Sequence, residues 1–398
     1  MKKILHFVFI LVIVFTMMTA CAPNNNNNTG TNNSAGATAA TASAIKIGIN
    51  MELSGDVASY GESTVNGIMM AIDEINAAGG INGKKVEIVK YDNKSDAAEA
   101  TTLATKLMTQ DQVLVVLGPA TSGAFKAEIP VANDKKIPVI SGSATTDDVT
   151  VDASGVKEYA FRICYNDSYQ GTAMAAFALN NLSAKSVVII KDSSSDYGKG
   201  LSESFKTKYT ADGGSIVSEE AYVKGDTDFK AILTKIKDMS YDAIFIPGYY
   251  NEAGLIIKQA RELGITVPIL GADGFDSPSL LELAGAGALS DVYFSNHYSS
   301  LDQDPVVVNF IKSYKEKNGK DPDAFNALGY DLAKFACDAI SRAKELTGTA
   351  VKDALASTES FAGVTGSFSI DENHNPVKSI VVIEMQNGVP ASSVKAGL

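Results

Sequence analysis

Short apolar segments alternate with longer amphipathic segments along the chain from residue 45 to residue 263. The run 45–51 (IKIGINM) is typical of a strand, and the stretch 62–77 has apolar residues at helical spacing, which gives it one apolar face. Repeated strand–helix alternation favours a parallel sheet covered by helices. On the same grounds we predict strands at 85–91, 113–117, 137–140, 186–191, 215–222 and 243–247, and helices at 97–109, 124–133, 168–182, 200–211, 228–237 and 252–263.

This alternation occurs twice, once before and once after about residue 165. Two such successions predict an α/β fold with two doubly wound parallel-sheet lobes. The length of 398 residues is sufficient for two domains, each with its own core. A cleft between two lobes is a common ligand site. In parallel sheets the carboxyl ends of the strands and the helix N-termini face such a site.

The first 44 residues differ in composition from the rest of the chain. Lys2 and Lys3 precede an apolar stretch, 4–18, that is shorter than the about 20 residues of a membrane-spanning helix, so residues 1–20 are predicted to be a secretory signal peptide. The sequence Met-Thr-Ala-Cys that ends at Cys21 resembles a bacterial lipobox, in which the cysteine carries the lipid; the alternative is an ordinary N-terminal anchor with an incidental cysteine. Residues 21–44, uncharged and rich in Asn, Thr, Ala, Ser and Gly, are predicted to be a low-complexity tether.

Charge and motif content narrow the classes of function. Asp and Glu number 46 against 34 Lys and Arg, which argues against a nucleic-acid-binding surface. The sequence contains no GxxxxGK[ST] phosphate loop, no GxGxxG after the first strand and no GxSxG nucleophile elbow. We therefore expect a protein that is not an enzyme and that has no cofactor, although an acid–base pair would need no motif.

The cysteines and histidines after residue 44 carry separate expectations. Cys164 and Cys337 lie in apolar segments and are predicted to be buried free thiols rather than a disulfide. His297 and His374 have no second His or Cys at metal-ligand spacing, so we expect each to be a surface or turn residue. The sequence therefore predicts no metal site.

Ten short segments together carry a resemblance to a known family. They are 54–61 (SGDVASYG), 76–83 (NAAGGING), 89–92 (VKYD), 118–123 (GPATSG), 140–145 (ISGSAT), 196–198 (DYG), 226–229 (DTDF), 248–249 (GY), 259–261 (QAR) and 329–331 (GYD). In order and spacing they resemble the leucine/isoleucine/valine-type, or branched-chain amino acid, substrate-binding proteins of ABC importers. These proteins have a type I periplasmic-binding fold, and the resemblance extends from residue 45 to about residue 390.

The resemblance implies an interleaved domain organisation and a transport function. Lobe 1 would consist of residues 45–164 and 298–370, and lobe 2 of residues 165–297 and 371–398, joined by hinge crossovers. The protein would capture an amino acid, branched-chain or otherwise apolar, between the lobes and deliver it to the permease subunits of an ABC importer. We expect a monomer that is lipid-anchored at the outer face of the cell membrane, or periplasmic where the cell has two membranes.

The resemblance also implies polar site residues from both lobes. Ser122 matches a position that binds the ligand α-carboxylate through its hydroxyl and backbone N–H, and its place at a helix start independently suits an anion; a plain N-cap is the alternative. Thr145 matches a Thr that contacts both carboxylate and ammonium, and Ser143 a position whose carbonyl contacts the ammonium. Asp273 lies where the family places an acid against the α-ammonium, with a turn Asp before Gly as the alternative.

Three tyrosines match aromatic positions of the family site. Tyr197 and Tyr249 correspond to positions of the second lobe and Tyr60 to one of the first. Aromatic walls bury an apolar side chain, and a phenol can also bond a ligand oxygen or nitrogen. Tyr250 is adjacent to Tyr249 in sequence, and we interpret it as a surface residue.

Two further features of this region remain open at the level of sequence. Glu52 lies near the expected cleft rim, where it could bind a polar ligand group, but a solvated loop acid is the favoured interpretation. A disulfide of the family's reference member corresponds to Ser95 and Thr121 here, so that clamp is absent. The same fold could bind an amide, urea or an aromatic acid, or serve as a ligand sensor, and an enzyme with an α/β body is the remaining alternative.

Overall fold

The computed structural model describes residues 44–396, and their strands and helices alternate for most of that length. The strands are β1 (Ile45–Met51), β2 (Val86–Asp92), β3 (Val116–Leu117), β4 (Val139–Ser141), β5 (Val151–Asp152), β6 (Gly155–Val156), β7 (Ala160–Arg162), β8 (Ser186–Asp192), β9 (Ser215–Tyr222), β10 (Ala243–Phe245), β11 (Ile269–Gly271), β12 (Val292–Asn296), β13 (Phe361–Gly363), β14 (Gly366–Phe368), β15 (Ile380–Gln386) and β16 (Val389–Ala396). The helices are α1 (Ala58–Ala77), α2 (Ala97–Thr109), α3 (Ser122–Lys135), α4 (Asp167–Asn180), α5 (Asp196–Ala211), α6 (Lys230–Lys237), α7 (Tyr250–Glu262), α8 (Pro278–Ala284), α9 (Pro305–Asn318), α10 (Ala324–Arg342) and α11 (Gly348–Ala356).

Two large sheets organise these elements. The first has the order β2-β1-β3-β4-β7 and is parallel throughout. The second has the order β16-β15-β12-β11-β10-β8-β9, in which β15 and β16 are antiparallel additions to a parallel core. The predicted α/β class with two parallel-sheet lobes is confirmed. We call the first sheet with its helices lobe 1 and the second sheet with its helices lobe 2.

The central strands of each sheet are buried, whereas the edge strands β9 and β16 are partly exposed. In β8, the four consecutive residues Val187, Val188, Ile189 and Ile190 are all buried, so the side chains on both faces of the sheet are apolar here. This is the near-continuous apolar pattern expected of a parallel strand. The predicted strand at 113–117 is regular only at Val116–Leu117, although Val113 and Val115 are also buried.

Helices α1 and α10 pack at the distance that glycine permits. A Cβ on Gly67 would lie 2.0 Å from the carbonyl oxygen of Asn326, and one on Gly329 would lie 2.0 Å from that of Thr64. No other residue fits at such a close approach of two backbones. The chain therefore returns to lobe 1 after it has built most of lobe 2.

Three segments connect the lobes. They are residues 163–166 between β7 and α4, residues 297–304 between β12 and α9, and residues 369–379 between β14 and β15. We call them the first, second and third crossover. Because every connection between the two sheets runs through them, they are the only places in the described chain where lobe rotation can be accommodated.

Several sequence expectations concern parts of the chain away from the sheets. The signal peptide, Cys21 and the tether up to residue 43 lie outside the described residues. Cys164 and Cys337 are buried free thiols, as predicted. Among the helices of residues 44–396, none combines the length and apolar character needed to cross a bilayer.

Candidate functional site

A small cavity of about 10 Å³ lies between the lobes. Its lining residues come from loops at the carboxyl ends of strands and from helix N-termini of both lobes. They are Tyr60, Ala120, Thr121, Ser122, Ser143, Tyr197, Tyr249, Asp273, Gly274 and Phe325. The structure thus brings together six of the seven residues that the sequence marks as ligand contacts. The seventh, Thr145, is fully buried but does not line this cavity.

On the lobe 1 wall, Ser122 is the first residue of α3. The preceding residue, Thr121, makes no side-chain cap, so the first backbone N–H groups of α3 are not satisfied in that way. Unpaired N–H groups and the helix dipole give this end a partial positive charge that suits a carboxylate. The Ser122 hydroxyl accepts a hydrogen bond from the backbone N–H of Thr146 at 3.3 Å. Its own proton is therefore free to donate to an anion.

Two hydroxyls beside Ser122 have different environments. Ser143 donates to the carbonyl oxygen of Ala120 at 2.9 Å, which fixes two cavity-lining loops to each other. The hydroxyl of Thr145 is buried and has no hydrogen-bond partner among the described residues. Buried hydroxyls normally have a partner, so Thr145 offers an unused donor and acceptor next to the start of α3.

The environment of Glu52 differs from the one expected from the sequence. Glu52 is 0% exposed, and its carboxylate accepts the backbone N–H groups of Ala120 and Thr121 at 2.9 and 3.0 Å and the Thr121 hydroxyl at 2.8 Å. The interpretation as a solvated loop acid is wrong. The end of β1 directs this side chain beneath the loop that leads into α3, where three donors replace water. Glu52 therefore holds the wall that presents Ser122.

The two positions of the family disulfide also carry hydroxyls that bond to the loop after β1. Ser95 donates to the carbonyl oxygen of Ser54 at 2.8 Å, and Thr121 donates to Glu52 as described above. Hydrogen bonds to residues 52–54 thus connect the two loops where the family's reference member has a covalent link.

On the lobe 2 wall, Asp273 follows β11 and is 3% exposed. The Tyr197 hydroxyl donates to its Oδ1 at 2.7 Å, and Nε2 of His297 lies 3.1 Å from its Oδ2. Each oxygen of the carboxylate is therefore held by one neighbour and keeps a lone pair for a ligand donor. Burial, followed by the charge of Asp273, raises the pKa of Tyr197 well above its usual value, so this hydroxyl stays a donor.

His297 and His374 were expected at the surface or in turns, and the structure contradicts the surface location for both. His297 is 4% exposed and stacks on Tyr165 with ring centroids 3.9 Å apart. His374 is 9% exposed and stacks on Phe161 at 4.0 Å. Nothing in the sequence around either histidine indicated that its side chain is buried. The position of His297 directly after β12, beside the loop after β11, was the available signal that it lies near Asp273.

Aromatic rings enclose the cavity. Tyr197 and Tyr249 stack in parallel at 5.0 Å, and Tyr60 meets Tyr249 edge-on at 5.8 Å. Phe325, which sequence reasoning missed, stacks on Tyr60 at 4.2 Å. Phe325 lies in the first turn of α10, and no sequence motif pointed to it.

The location of Tyr250 also differs from the one expected from the sequence. Tyr250 is 5% exposed rather than a surface residue, and its hydroxyl donates to the carbonyl oxygen of Asp56 at 3.0 Å. Because Asp56 belongs to lobe 1 and Tyr250 to lobe 2, this bond crosses the cleft. The Tyr60 hydroxyl also crosses it and donates to the carbonyl oxygen of Gly274.

Ion pairs and a hydroxyl pair complete the contact between the lobes. Lys126 of α3 lies 2.9 Å from Asp196 of α5, and Lys224 lies 3.0 Å from Asp56. The hydroxyls of Ser59 and Ser277 are 2.7 Å apart. The cleft is therefore closed around the cavity. A wider cavity of about 370 Å³ at the cleft mouth shares Thr121 and Tyr249 with it.

The described residues offer no obvious place for a metal ion. Within residues 44–396, no group of three or more His, Cys, Asp or Glu side chains is arranged to hold one. The chemistry available in the cavity is therefore that of hydrogen bonds, one carboxylate, a helix N-terminus and aromatic surfaces.

Comparisons with known proteins agree with this geometry. The family model described as "Periplasmic binding protein" matches residues 44–390. A leucine-, isoleucine-, valine-, threonine- and alanine-binding protein of Pseudomonas aeruginosa is 29% identical over 328 residues, which cover 82% of this chain and 86% of the relative.

Two solved structures are informative neighbours. The branched-chain amino acid transporter substrate-binding protein LivJ of Streptococcus pneumoniae, in complex with isoleucine, is 43% identical with a TM-score of 0.85; the match covers 89% of this chain and 100% of that one. A solute-binding protein of an ABC transporter from R. palustris, in complex with benzoate, is 25% identical with a TM-score of 0.80 and coverage of 89% and 96%.

Proposed function

The chain belongs to the periplasmic binding protein family, and on that premise we propose that it captures a branched-chain or other apolar amino acid between its lobes for an ABC importer. It would deliver the ligand to membrane permease subunits and return it chemically unchanged. One observation carries the choice of ligand: a single closed cavity has the N-terminus of α3 on one wall and the Asp273 carboxylate on the other. An α-amino acid carries the two complementary charges on adjacent groups.

The proposed contacts follow from this pairing. The α-carboxylate lies at the start of α3, where the Ser122 hydroxyl and N–H groups bind it, and the unpartnered hydroxyl of Thr145 is a further donor nearby. The α-ammonium donates to Asp273 and to the backbone carbonyl of Ser143. Charge-assisted hydrogen bonds of this kind are about twice as strong as neutral ones.

The aromatic residues account for an apolar side chain. Tyr60, Tyr197, Tyr249 and Phe325 form one continuous set of ring contacts around the cavity. At about 10 Å³ the cavity has room for about one water molecule, so binding of an amino acid requires the lobes or the rings to move apart. A longer side chain would extend past Tyr249 toward the cleft mouth.

Closure of the two lobes around the ligand would link ligand binding to transport. The ligand would meet Ser122 on lobe 1 first, and rotation about the crossovers would then bring Asp273 and Tyr197 against it. A ligand stabilises the closed form only by the difference between its affinities for the two forms. The bonds of Tyr60 and Tyr250 across the cleft add to that difference.

The test is isothermal titration calorimetry with a matched set of ligands. We expect L-leucine, L-isoleucine and L-valine to bind with one site per chain. The corresponding amine and carboxylic acid, 3-methylbutylamine and 4-methylpentanoate, each lack one charge of leucine and should bind at least about tenfold more weakly. Benzoate is the contrasting ligand, since the R. palustris neighbour binds it. Tight binding of benzoate with none of leucine would favour the aromatic-acid alternative.

Anchoring is a separate part of the proposal. We propose that Cys21 carries a lipid and that residues 21–44 hold the lobes at the outer face of the membrane, or in the periplasm of a cell with two membranes. Expression of the Cys21→Ser variant should release the protein from the membrane fraction, while a Cys164→Ser control remains in it. Recovery of Cys21→Ser in the membrane fraction would contradict the lipid anchor.

A further inference from the structure

We infer that His297 is a positioning residue for the ligand ammonium: it orients Asp273 from the second crossover and couples ligand binding to pH. This inference rests on the proposed function, because it assigns the ammonium to Asp273. Nothing in the family resemblance or in the comparisons points to a histidine here.

The contact between the two side chains is close and sealed from solvent. Nε2 of His297 lies 3.1 Å from Oδ2 of Asp273, and neither side chain is more than 4% exposed. Oδ1 of the same carboxylate accepts the Tyr197 hydroxyl. The carboxylate is therefore fixed by one lobe 2 helix, through Tyr197, and by one crossover, through His297.

The surroundings of the ring define its tautomer. A carboxylate oxygen only accepts hydrogen bonds, so neutral His297 must carry its proton on Nε2. Nδ1 is buried and has no hydrogen-bond partner among the described residues. A second proton on Nδ1 would therefore be a buried donor without an acceptor, which opposes the charged form of the ring.

The charged neighbours of His297 come from three elements. Burial lowers the pKa of His297 from its usual value of 6.5, while the hydrogen bond to Asp273 raises it and the charge of Lys378 in the third crossover lowers it. Tyr165 in the first crossover covers one face of the ring. Asp167 lies at the start of α4. Burial raises its pKa to about 8, and the negative charge of Asp273 contributes to that rise.

Ligand binding and protonation of His297 compete for one carboxylate. An ammonium on Asp273 places a second cation beside the ring, so the pKa of His297 must be lower with ligand than without it. Binding then releases a proton, and affinity falls as the pH drops below the pKa of the free form, by up to about tenfold per pH unit. Because that pKa lies below 6.5, the fall belongs to the acidic side of neutrality.

Between pH 5 and pH 7 other buried groups titrate as well, among them Asp323, whose pKa burial raises to about 7, so the effect of His297 is the difference between wild type and a variant that does not titrate at this position. Asp167, with a pKa of about 8, stays mostly protonated between pH 5 and pH 7. His374 is the matched control, because it is also buried, stacks on an aromatic ring and has its pKa lowered by burial. Its Nδ1 lies 3.0 Å from the carbonyl oxygen of Ala160, away from the cavity.

The experiment is calorimetric titration of the full chain with L-leucine at pH 5, 6 and 7. We expect the affinity of wild type for leucine to fall from pH 7 to pH 5, and to fall more steeply than that of the His297→Gln variant. His297→Gln keeps a donor near the Nε2 position but does not titrate, so its affinity should depend less on pH than that of wild type. His374→Gln should keep the wild-type slope.

The outcomes separate the inference from the function on which it rests. A wild-type slope in folded His297→Gln would overturn the inference and leave amino-acid binding intact. Failure of wild type to bind any amino acid would overturn both. A second measurement needs no variant: imidazole NMR titration of wild type should give a lower pKa for His297 with leucine than without it. An equal or higher pKa in the complex would also overturn the inference.

Discussion

The two walls of the cavity are built from different parts of the chain. Lobe 1 presents a helix start, where backbone N–H groups and the Ser122 hydroxyl face the cavity. Lobe 2 presents a side chain, Asp273, together with the phenol that orients it. A backbone wall depends on how its loop is held, whereas a side-chain wall depends on the identity of the side chain itself.

This difference has a consequence for the robustness of the site. Glu52 supports the lobe 1 wall without lining the cavity. It accepts hydrogen bonds from Ala120 and Thr121, which do line the cavity. The lobe 2 wall has its key group exposed to the ligand and supported by Tyr197 and His297. Damage to lobe 1 should therefore appear first as lost stability, and damage to lobe 2 as lost affinity.

The largest effect is expected for Glu52→Ala, which tests the lobe 1 side of the comparison. Three donors around the loop before α3 would lose a buried acceptor, at about 1–3 kcal/mol each. We expect the free energy of unfolding, measured by urea denaturation, to fall by at least about 3 kcal/mol. Glu62→Ala, an exposed substitution on α1, should change it by less than about 0.5 kcal/mol. Equal effects of the two variants would contradict a supporting role for Glu52.

Asp273→Ala tests the lobe 2 side, with the next largest effect. Loss of the charged partner of the ammonium should cost about 1.5–3 kcal/mol of binding free energy, which is roughly a 10- to 150-fold rise in Kd for leucine. Stability should change less than in Glu52→Ala. Asp321→Asn removes the same charge at an exposed position outside the cavity and should leave the Kd within about twofold. Calorimetry that finds Asp273→Ala equal to this control would refute the site.

The same contrast explains what the sequence predicts well. Strand–helix alternation predicted four of the five strands of the first sheet and three of the seven strands of the second, because apolar runs and helical periodicity report burial directly. β9 was predicted at its observed bounds, Ser215–Tyr222. Family resemblance then identified the cavity-lining positions Ser122, Asp273 and Tyr197, of which Ser122 and Tyr197 lie within segments that carry the resemblance.

The residues that the sequence did not place correctly act through a second residue. Glu52, His297 and Tyr250 were expected to be solvated, yet all three are buried. Polar residue types normally predict exposure, and only the three-dimensional partner reverses that expectation. For Glu52 the partner is a loop from another part of lobe 1, and for Tyr250 it lies across the cleft. Thr145, in contrast, was predicted as a contact and is buried just outside the cavity lining.

Tyr250→Phe tests whether the closed form depends on bonds between the two walls. The variant removes the hydroxyl that donates to Asp56 across the cleft but keeps the ring. One neutral hydrogen bond contributes about 0.5–1.5 kcal/mol, so the Kd for leucine should rise roughly two- to tenfold. Tyr241→Phe changes a half-buried tyrosine within lobe 2 and should leave the Kd unchanged. If both variants bind like wild type, closure does not use this bond.

The smallest effect is expected for Lys126→Gln, which sharpens the comparison at the cleft rim. Lys126 bonds Asp196 across the cleft, whereas Lys199 bonds the same Asp196 within α5. Partly exposed ion pairs are worth at most about 1 kcal/mol and are screened by salt. Lys126→Gln should therefore raise the Kd for leucine by about fivefold or less at low ionic strength, and the difference from wild type should shrink in 1 M salt.

Lys199→Gln removes an equal charge from the same carboxylate without a cross-lobe bond, so its Kd should stay near wild type at both ionic strengths. A similar rise in both variants would mean that the total charge near Asp196, and not the bond between the walls, controls closure.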